Sequence, residues 1–173
     1  MKYLILFSIC SFLIGCATPS QRFNQDAVNF GFKSQLVETD QFQHQIYLAN
    51  HLKKKGVLHV YIDGDGTPWE RKRWIADDPT ARNSLILRLM KQDKESSILL
   101  GRPCYYGLSD TSECDNKFWT SHRYSKQVVD SMAQALNSWL DQYDYKEIIL
   151  IGYSGGGAIA ILMADKIKKL STV

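Results

Sequence analysis

The chain has 173 residues, of which 45% are hydrophobic and 12% aromatic, and its formal net charge is +3. This is the composition of one ordinary globular domain, so it excludes a disordered chain and a repeat protein. A net charge this small gives no argument for a nucleic-acid partner or for an acidic substrate.

The N-terminus has the pattern of an export signal. Lys2 supplies a positive start, residues 3–14 form an apolar run too short to span a membrane, and Gly15 is a small residue at a cleavage position. We therefore predict a signal peptide over residues 1–15.

The end of this segment predicts the kind of signal. Residues 13–16 resemble a bacterial lipobox, in which the cysteine is acylated and becomes the first residue of the mature chain. We predict that Cys16 carries lipid and tethers the protein to a membrane; a plain signal peptide with an incidental cysteine is the alternative. By resemblance to enterobacterial sorting, Ala17 predicts the periplasmic face of the outer membrane. We expect residues 16–29 to form a lipidated tether with no core of its own, followed by the domain over residues 30–173.

Two further cysteines fit an oxidising compartment. Cys104 and Cys114 lie in a stretch with the composition of a loop. In a periplasmic protein such a pair favours a disulfide that closes a short loop over two free thiols. Zinc binding is the alternative, but it requires further ligands at short spacing, and His122 alone does not supply them.

The middle of the chain alternates between strand and helix patterns. Residues 32–48 alternate with period two on either side of a turn at 38–40, which predicts an antiparallel hairpin. Residues 57–62 and 97–101 are β-branched or apolar runs typical of strands buried on both faces.

Two helices are predicted between and after these strands. Apolar residues recur at helical spacing within residues 85–90, and an acidic or hydroxyl residue within 77–80 offers a cap. A longer apolar stripe over residues 126–143 follows Ser125, a favoured capping residue. Strands that alternate with helices of this length indicate a mainly parallel α/β sheet.

The strongest local motif lies near the end of the sequence. The apolar run 148–151 breaks into a G-x-S-x-G pattern over residues 152–156 and resumes as a helix pattern ending in lysines. This is the nucleophile-elbow pattern, in which a serine occupies a strained strand-to-helix turn and glycines remove clashing side chains. Ser154 is therefore the candidate nucleophile.

A second glycine-rich loop follows the strand at 57–62. Acyl transfer at a serine needs backbone N–H donors that face the oxyanion, and Gly64, Asp65 and Gly66 are placed to provide one. Gly155, directly after the serine at a helix N-terminus, is the other predicted donor. Asp-Gly is also an ordinary turn pair, but its place one helix and one strand before an elbow favours the oxyanion interpretation.

Five motifs, taken together and in order, resemble the α/β-hydrolase superfamily, specifically its bacterial lipoprotein members. They are Asp63-Gly64-Asp65-Gly66, Asp78-Pro79-Thr80 with Arg82-Asn83, Arg102-Pro103-Cys104-Tyr105, Trp119-Thr120 with Arg123-Tyr124-Ser125, and Gly152-Tyr153-Ser154-Gly155-Gly156-Gly157. The resemblance implies a partial α/β-hydrolase fold, with a mostly parallel sheet, flanking helices and the N-terminal hairpin. It implies a serine hydrolase that acts on a small ester-like substrate without a cofactor or a metal, with the Cys104–Cys114 disulfide bracing a loop near the site.

The sequence departs from this family at the catalytic base. The triad follows the order Ser, acid, His, yet all four histidines precede Ser154. Asp165, the acid after the serine, is expected on the helix surface rather than in a triad. His122 is an alternative base, although a solvent-facing loop histidine is the preferred interpretation.

These absences lead to the expectation of a C-terminally truncated hydrolase whose activity as this chain is doubtful. We expect a strand to begin near residue 170, and residues 148–151 to form an exposed apolar sheet edge. The alternatives are a non-catalytic envelope lipoprotein that keeps the scaffold and a nucleotide-binding domain, since Gly155, Gly157 and Ala160 fit a loose dinucleotide pattern. The basic, aromatic residues 69–74 are interpreted as a solvated rim, with tryptophans that line an acyl pocket as the alternative.

Overall fold

The computed structural model describes residues 17–53 and 55–173. The predictions for the signal peptide and for lipid on Cys16 lie outside these residues. The elements are α1 (Pro19–Asn29), β1 (Lys33–Glu38), β2 (Gln43–Leu48), β3 (Lys55–Ile62), β4 (Trp69–Glu70), β5 (Trp74–Ile75), α2 (Leu85–Gln92), β6 (Ser96–Leu100), α3 (Lys126–Leu140), β7 (Asp144–Gly152), α4 (Gly155–Met163) and β8 (Leu170–Thr172), with short 3₁₀ helices at Asn116–Trp119 and Ala164–Lys166.

Six strands form one sheet in the order β1-β2-β6-β3-β7-β8, and β4 and β5 form a separate hairpin. β3 runs parallel to β6 and β7, and β7 runs parallel to β8, whereas β1, β2 and β6 pair antiparallel. The sequence prediction of a mostly parallel α/β sheet with an N-terminal hairpin is confirmed. Among the described residues, no helix has the length and hydropathy that a membrane span requires.

The central strands are buried because helices cover both faces. Leu58, Val60 and Ile62 of β3 are completely buried, as are the apolar residues of β6. α3 buries its apolar stripe, including Trp139, and the Ser125 hydroxyl accepts a hydrogen bond from the Val128 amide, which confirms the predicted cap. Because helices cover both faces of the sheet, the central strands are accessible only at their ends.

The segment predicted to be a tether is a helix packed on the domain, which corrects the expectation that it has no core. Thr18 caps α1 in a capping box with Gln21, with Pro19 in the first turn. Phe23 and Ala27 are almost completely buried, and the Ser20 amide donates to Asp78 at 2.8 Å. The folded unit therefore includes residues before 30.

Other boundaries also differ from the sequence predictions. α2 begins only at Leu85, after Ser84, and its start has no side-chain cap; Asp78 instead accepts hydrogen bonds from the amides of Ser20 and Thr80. The final helix ends at Met163, before the lysines. β8 pairs with β7 at Ile148 and Ile149, and the side chains of Ile148 and Leu150 are buried, so the expectation of an exposed apolar edge is corrected at these positions.

Candidate active site

The turn between β7 and α4 has the strained geometry of a nucleophile elbow. Ser154 has φ +51° and ψ −123°, a conformation that L-residues rarely adopt. The elbow is tied to β3, because the Tyr153 amide donates to the Ile62 carbonyl at 3.0 Å. It is closed on the helix side by the Gly156 amide, which donates to the Tyr153 carbonyl at 2.8 Å. The Ser154 side chain is consequently presented at the exposed end of the sheet.

Close backbone packing explains why glycines flank the serine. A Cβ on Gly156 would lie 2.2 Å from the Ile62 carbonyl oxygen, and one on Gly152 would lie 2.4 Å from the Gly156 oxygen. Real Cβ atoms do not approach backbone this closely, so both positions need glycine for the strand, turn and helix to meet.

The loop after β3 lies directly against the elbow. A Cβ built on Gly64 would be 3.3 Å from the Ser154 Cβ, and one built on Gly155 would be 2.2 Å from Asp65 Oδ1. The predicted nucleophile and the predicted oxyanion loop are therefore brought together. The Gly64 amide already donates to Asp63 Oδ1 at 2.8 Å. This leaves the amides of Asp65, Gly66 and Gly155 as the candidate oxyanion donors.

Asp65 is held by a cluster of cationic and phenolic donors. Arg102 Nη1 donates to Oδ1 at 2.7 Å, Arg123 Nε to Oδ2 at 3.0 Å, and the Tyr124 hydroxyl lies 2.6 Å from both oxygens. Burial alone would raise the pKa of Asp65, but these hydrogen bonds and the two guanidinium charges outweigh it and lower that pKa. Asp65 is therefore a carboxylate fixed in place at neutral pH.

Arg102 is the most buried member of this cluster, with a side chain only 1% exposed. Its Nη2 donates to the Arg123 carbonyl at 2.7 Å, and its Nε has no hydrogen-bond partner among the described residues. The sequence singled out Arg102, Arg123 and Tyr124 only as family motifs, without a role. An arginine in an otherwise apolar context that follows a buried strand was the available signal, because a buried guanidinium requires an acidic partner.

Asp63, two residues before Asp65, accepts hydrogen bonds from neutral groups instead of cationic ones. Its oxygens accept from the Gly64 amide and, at 3.4 Å, from the Tyr106 hydroxyl. Burial raises the pKa of Asp63 to about 6, against the lowering effect of these hydrogen bonds and of Arg102. Sequence reasoning assigned this residue no role.

The loop that follows β6 supports both aspartates. Cys104 and Cys114 form the predicted disulfide, with Cα atoms 5.6 Å apart. Within the closed loop, the Tyr105 hydroxyl donates to the Asp65 carbonyl at 3.0 Å, and Tyr106 contacts Asp63. The predicted disulfide is thus present in a loop that contacts both aspartates, and its bracing role stays a prediction.

A cleft of about 240 Å³ opens beside Ser154. It is lined by Asp63, Gly64, Asp65, Gly66, Thr67, Ala81, Arg82, Asn83, Tyr153 and Ser154. Neither Trp69 nor Trp74 is among the lining residues, so the alternative that tryptophans line an acyl pocket finds no support in this cleft.

The four histidines are all engaged elsewhere. His44 is buried between the Gly101 carbonyl and Ser131, and burial lowers its pKa to about 4. His59 pairs with Asp93 at 2.6 Å, and His51 contacts the Glu95 carbonyl. His122 is exposed and contacts Ser121, as the preferred interpretation expected. Asp165 is a surface residue as predicted, although it lies in the 3₁₀ turn after α4 rather than in the helix.

The sheet order, the elbow after β7 and the glycine loop after β3 define an α/β-hydrolase fold. The chain is similar to the esterase Pf2001 of Pyrococcus furiosus, with a TM-score of 0.50 and 15% identity over 91% of this chain and 53% of the esterase. It is similar to the acylaminoacyl peptidase of Pyrococcus horikoshii, with a TM-score of 0.50 and 10% identity over 80% of this chain and 21% of the peptidase. An alpha/beta fold family hydrolase from Bacillus anthracis str. Sterne gives a TM-score of 0.46 and 11% identity over 80% of this chain and 41% of that protein. The chain thus spans about half the length of the esterase and less of the other two.

No curated protein sequence matches the chain. The family model "Lipase (class 3)" matches residues 86–173, just over half of the chain, which include α3, β7, the elbow and α4. The chain belongs to the class 3 lipase family. The α/β-hydrolase resemblance is confirmed, and membership of the lipoprotein branch stays a prediction.

Proposed function

We propose that the chain carries the nucleophile and oxyanion half of a serine hydrolase that acts on an ester, of the kind found in lipids or similar acyl compounds. The observation that carries this proposal is the placement of the strained Ser154 against the loop at Gly64 and Asp65. In the proposed step, the Ser154 hydroxyl oxygen bonds to the acyl carbon and its proton passes to solvent water, while an electron pair of the C=O bond moves to the carbonyl oxygen. The oxyanion that forms is stabilised by the Gly155 amide and by an amide of Asp65 or Gly66. The C=O bond then forms again, the ester C–O bond breaks, and the alcohol leaves with a proton from solvent.

The family match favours this chemistry over nucleotide binding. A specific observation nevertheless supports a second candidate, a non-catalytic lipoprotein that keeps the scaffold. Each of the four histidines contacts a group other than Ser154, so the described residues supply no imidazole base to the serine. Without a base the hydroxyl stays protonated near neutral pH and is a poor nucleophile.

We further propose an envelope location, with a leader over residues 1–15 and lipid on Cys16. The lipobox-like residues 13–16 support it, and so does the disulfide, which is typical of oxidising compartments. The capping box of α1 starts at Thr18, two residues after Cys16. An acyl anchor on Cys16 would therefore hold the domain close to the bilayer rather than at the end of a long tether.

A fluorophosphonate probe tests the first proposal. We expect covalent labelling of the chain that disappears in Ser154→Ala and persists in the control Ser121→Ala, a serine that is exposed but lies outside the elbow. p-Nitrophenyl ester hydrolysis measures turnover in the same variants. A folded chain that is neither labelled nor active would overturn the proposal and favour the non-catalytic lipoprotein.

A further inference from the structure

The hairpin formed by β4 and β5 projects from the domain with every residue from 69 to 75 exposed. Trp69 is 45% exposed, Trp74 59% and Ile75 38%. The other two tryptophans, Trp119 and Trp139, are buried. The hairpin therefore presents large apolar side chains to its surroundings, which is unusual for aromatic residues without a partner surface.

The tip of the hairpin has a strained turn. Arg71 and Lys72 have φ of +49° and +59°, and the Arg73 amide donates to the Glu70 carbonyl at 3.0 Å. Two consecutive positive φ values are required by the type I′ turn, for which Asn-Gly is the favoured pair. Each non-glycine residue in this region costs about 1–2 kcal/mol. Arg and Lys at these positions point to a role for their side chains rather than for the turn itself.

The charge of the tip is unbalanced. Glu70 pairs with Arg82 at 3.1 Å. Among the described residues, no carboxylate lies within salt-bridge distance of Arg71, Lys72 or Arg73. The Arg73 guanidinium lies 5.1 Å from the centre of the Trp74 ring, so cationic and aromatic groups are adjacent. The exposed hairpin thus combines three cations with an apolar surface.

The hairpin also emerges from the rim of the cleft. The Ala76 amide donates to the Pro68 carbonyl at 3.0 Å and closes the base of the hairpin next to Thr67, which lines the cleft. Arg82 lines the cleft as well and contacts Glu70 of the hairpin. Whatever binds the hairpin is held beside Ser154.

We propose that the hairpin at residues 69–75 docks on an anionic phospholipid surface. Tryptophan and isoleucine enter the interfacial layer of a bilayer, and lysine and arginine are attracted by anionic headgroups. This combination fits a lipid surface better than a nucleic acid, because Ile75 and the tryptophan edges gain from an apolar phase. The proposal does not depend on turnover at Ser154.

The test uses the full chain with Cys16→Ser, which cannot be acylated. The vesicles are phosphatidylcholine alone or with about 30 mol% phosphatidylglycerol, which gives a strongly negative surface. Brominated lipids quench tryptophans that enter the bilayer, and only Trp69 and Trp74 are exposed to report this. We expect salt-sensitive quenching with anionic vesicles, and its loss when both residues are changed to Phe.

The decisive variant is Arg71→Asn with Lys72→Gly. It relaxes the turn, so the hairpin is retained, but it removes two cations. At about fivefold per basic residue, we expect the association of the hairpin with anionic vesicles to weaken by about 25-fold. Lys33→Gln with Lys146→Gln removes the same charge from exposed strand positions elsewhere and is expected to change quenching little.

Three outcomes would overturn the proposal. The first is quenching that is equally strong with neutral and with anionic vesicles. The second is a loss of quenching in the Lys33 and Lys146 control as large as in the Arg71 and Lys72 variant. The third is binding of an oligonucleotide without quenching by vesicles, which would assign the cations to nucleic acid. The apolar run at residues 3–14 can bind both kinds of vesicle, so the first outcome is judged on the salt-sensitive part of the quenching, which an uncharged run does not produce.

Discussion

Replacement of Asp63 by Asn is expected to stabilise the protein above pH 6. Asp63 is only 5% exposed, and burial raises its pKa from 3.8 to about 6. In the pH range from 3.8 to 6 the folded state therefore binds more protons than the unfolded state, and stability falls as pH rises. The shift of about two pKa units corresponds to about 3 kcal/mol of lost stability at pH 7 and above. Asn keeps an oxygen for the Gly64 amide and has no charge to bury.

His44 has the opposite pH dependence. Burial lowers its pKa from 6.5 to about 4, so the unfolded state binds more protons between these values and stability rises with pH by about 3 kcal/mol. In the unmodified protein the two contributions largely cancel between pH 4 and 6. In Asp63→Asn the contribution of His44 is no longer cancelled, so the free energy of unfolding should rise from pH 4 to 6.5 and change little above that.

Urea unfolding, followed by tryptophan fluorescence, measures the free energy of unfolding at about pH 4.5, 6 and 8. These values span the pH ranges in which Asp63 and His44 titrate. We expect Asp63→Asn to raise the free energy of unfolding by about 1–3 kcal/mol at pH 8 and to change it little at pH 4.5. Asp165→Asn, at a side chain 80% exposed, is the control and should stay within about 0.5 kcal/mol of the parent. A variant no more stable at pH 8, with a pH profile parallel to the parent, would refute the reasoning.

Two further predictions use the same unfolding assay. Gly156→Ala should destabilise the protein by about 3 kcal/mol or more, because its Cβ would lie 2.2 Å from the Ile62 oxygen. Gly157→Ala, whose Cβ would lie 3.6 Å from the nearest atom, should be neutral or stabilise α4 by about 0.5–1 kcal/mol; equal effects would contradict the close packing of the elbow. Phe23→Ala should lower the free energy of unfolding by about 3–5 kcal/mol, because this side chain is buried. Val28→Ala, at a side chain 66% exposed, is the control and should lower it by less than about 0.5 kcal/mol. If the segment were a tether without a core, neither change would have an effect.

The elements that the sequence predicted well are those encoded by local pattern. The elbow is recognisable because a strand-to-helix turn at Ser154 needs glycines at fixed offsets. α3 is recognisable because its apolar stripe and the Ser125 cap agree. The sheet followed from buried runs at β3 and β6 separated by a helix pattern.

The elements that were missed depend on contacts distant in sequence or on sparse signals. α1 is largely polar, and its docking rests on Phe23 and Ala27, four residues apart on one face. Its available signal was the capping box of Thr18 and Gln21 with Pro19 in the first turn. For the Asp65 cluster, an arginine after a buried strand was a signal for an acidic partner but did not identify that partner, since Arg102 and Tyr124 lie 37 and 59 residues from Asp65 in the chain.

Asp63 and Asp65 show how one short loop produces two carboxylates with opposite electrostatics. Asp63 faces the interior with neutral donors and has a raised pKa, whereas Asp65 meets two guanidinium groups and has a lowered one. A carboxylate next to the elbow would by itself oppose negative charge on an acyl oxygen at Ser154. With Arg102 and Arg123 the cluster carries a net charge of about +1 at neutral pH. The Asp65 backbone is thereby held against Gly155, and the two guanidinium groups offset the repulsion that the Asp65 carboxylate would exert on the negative charge that the reaction develops.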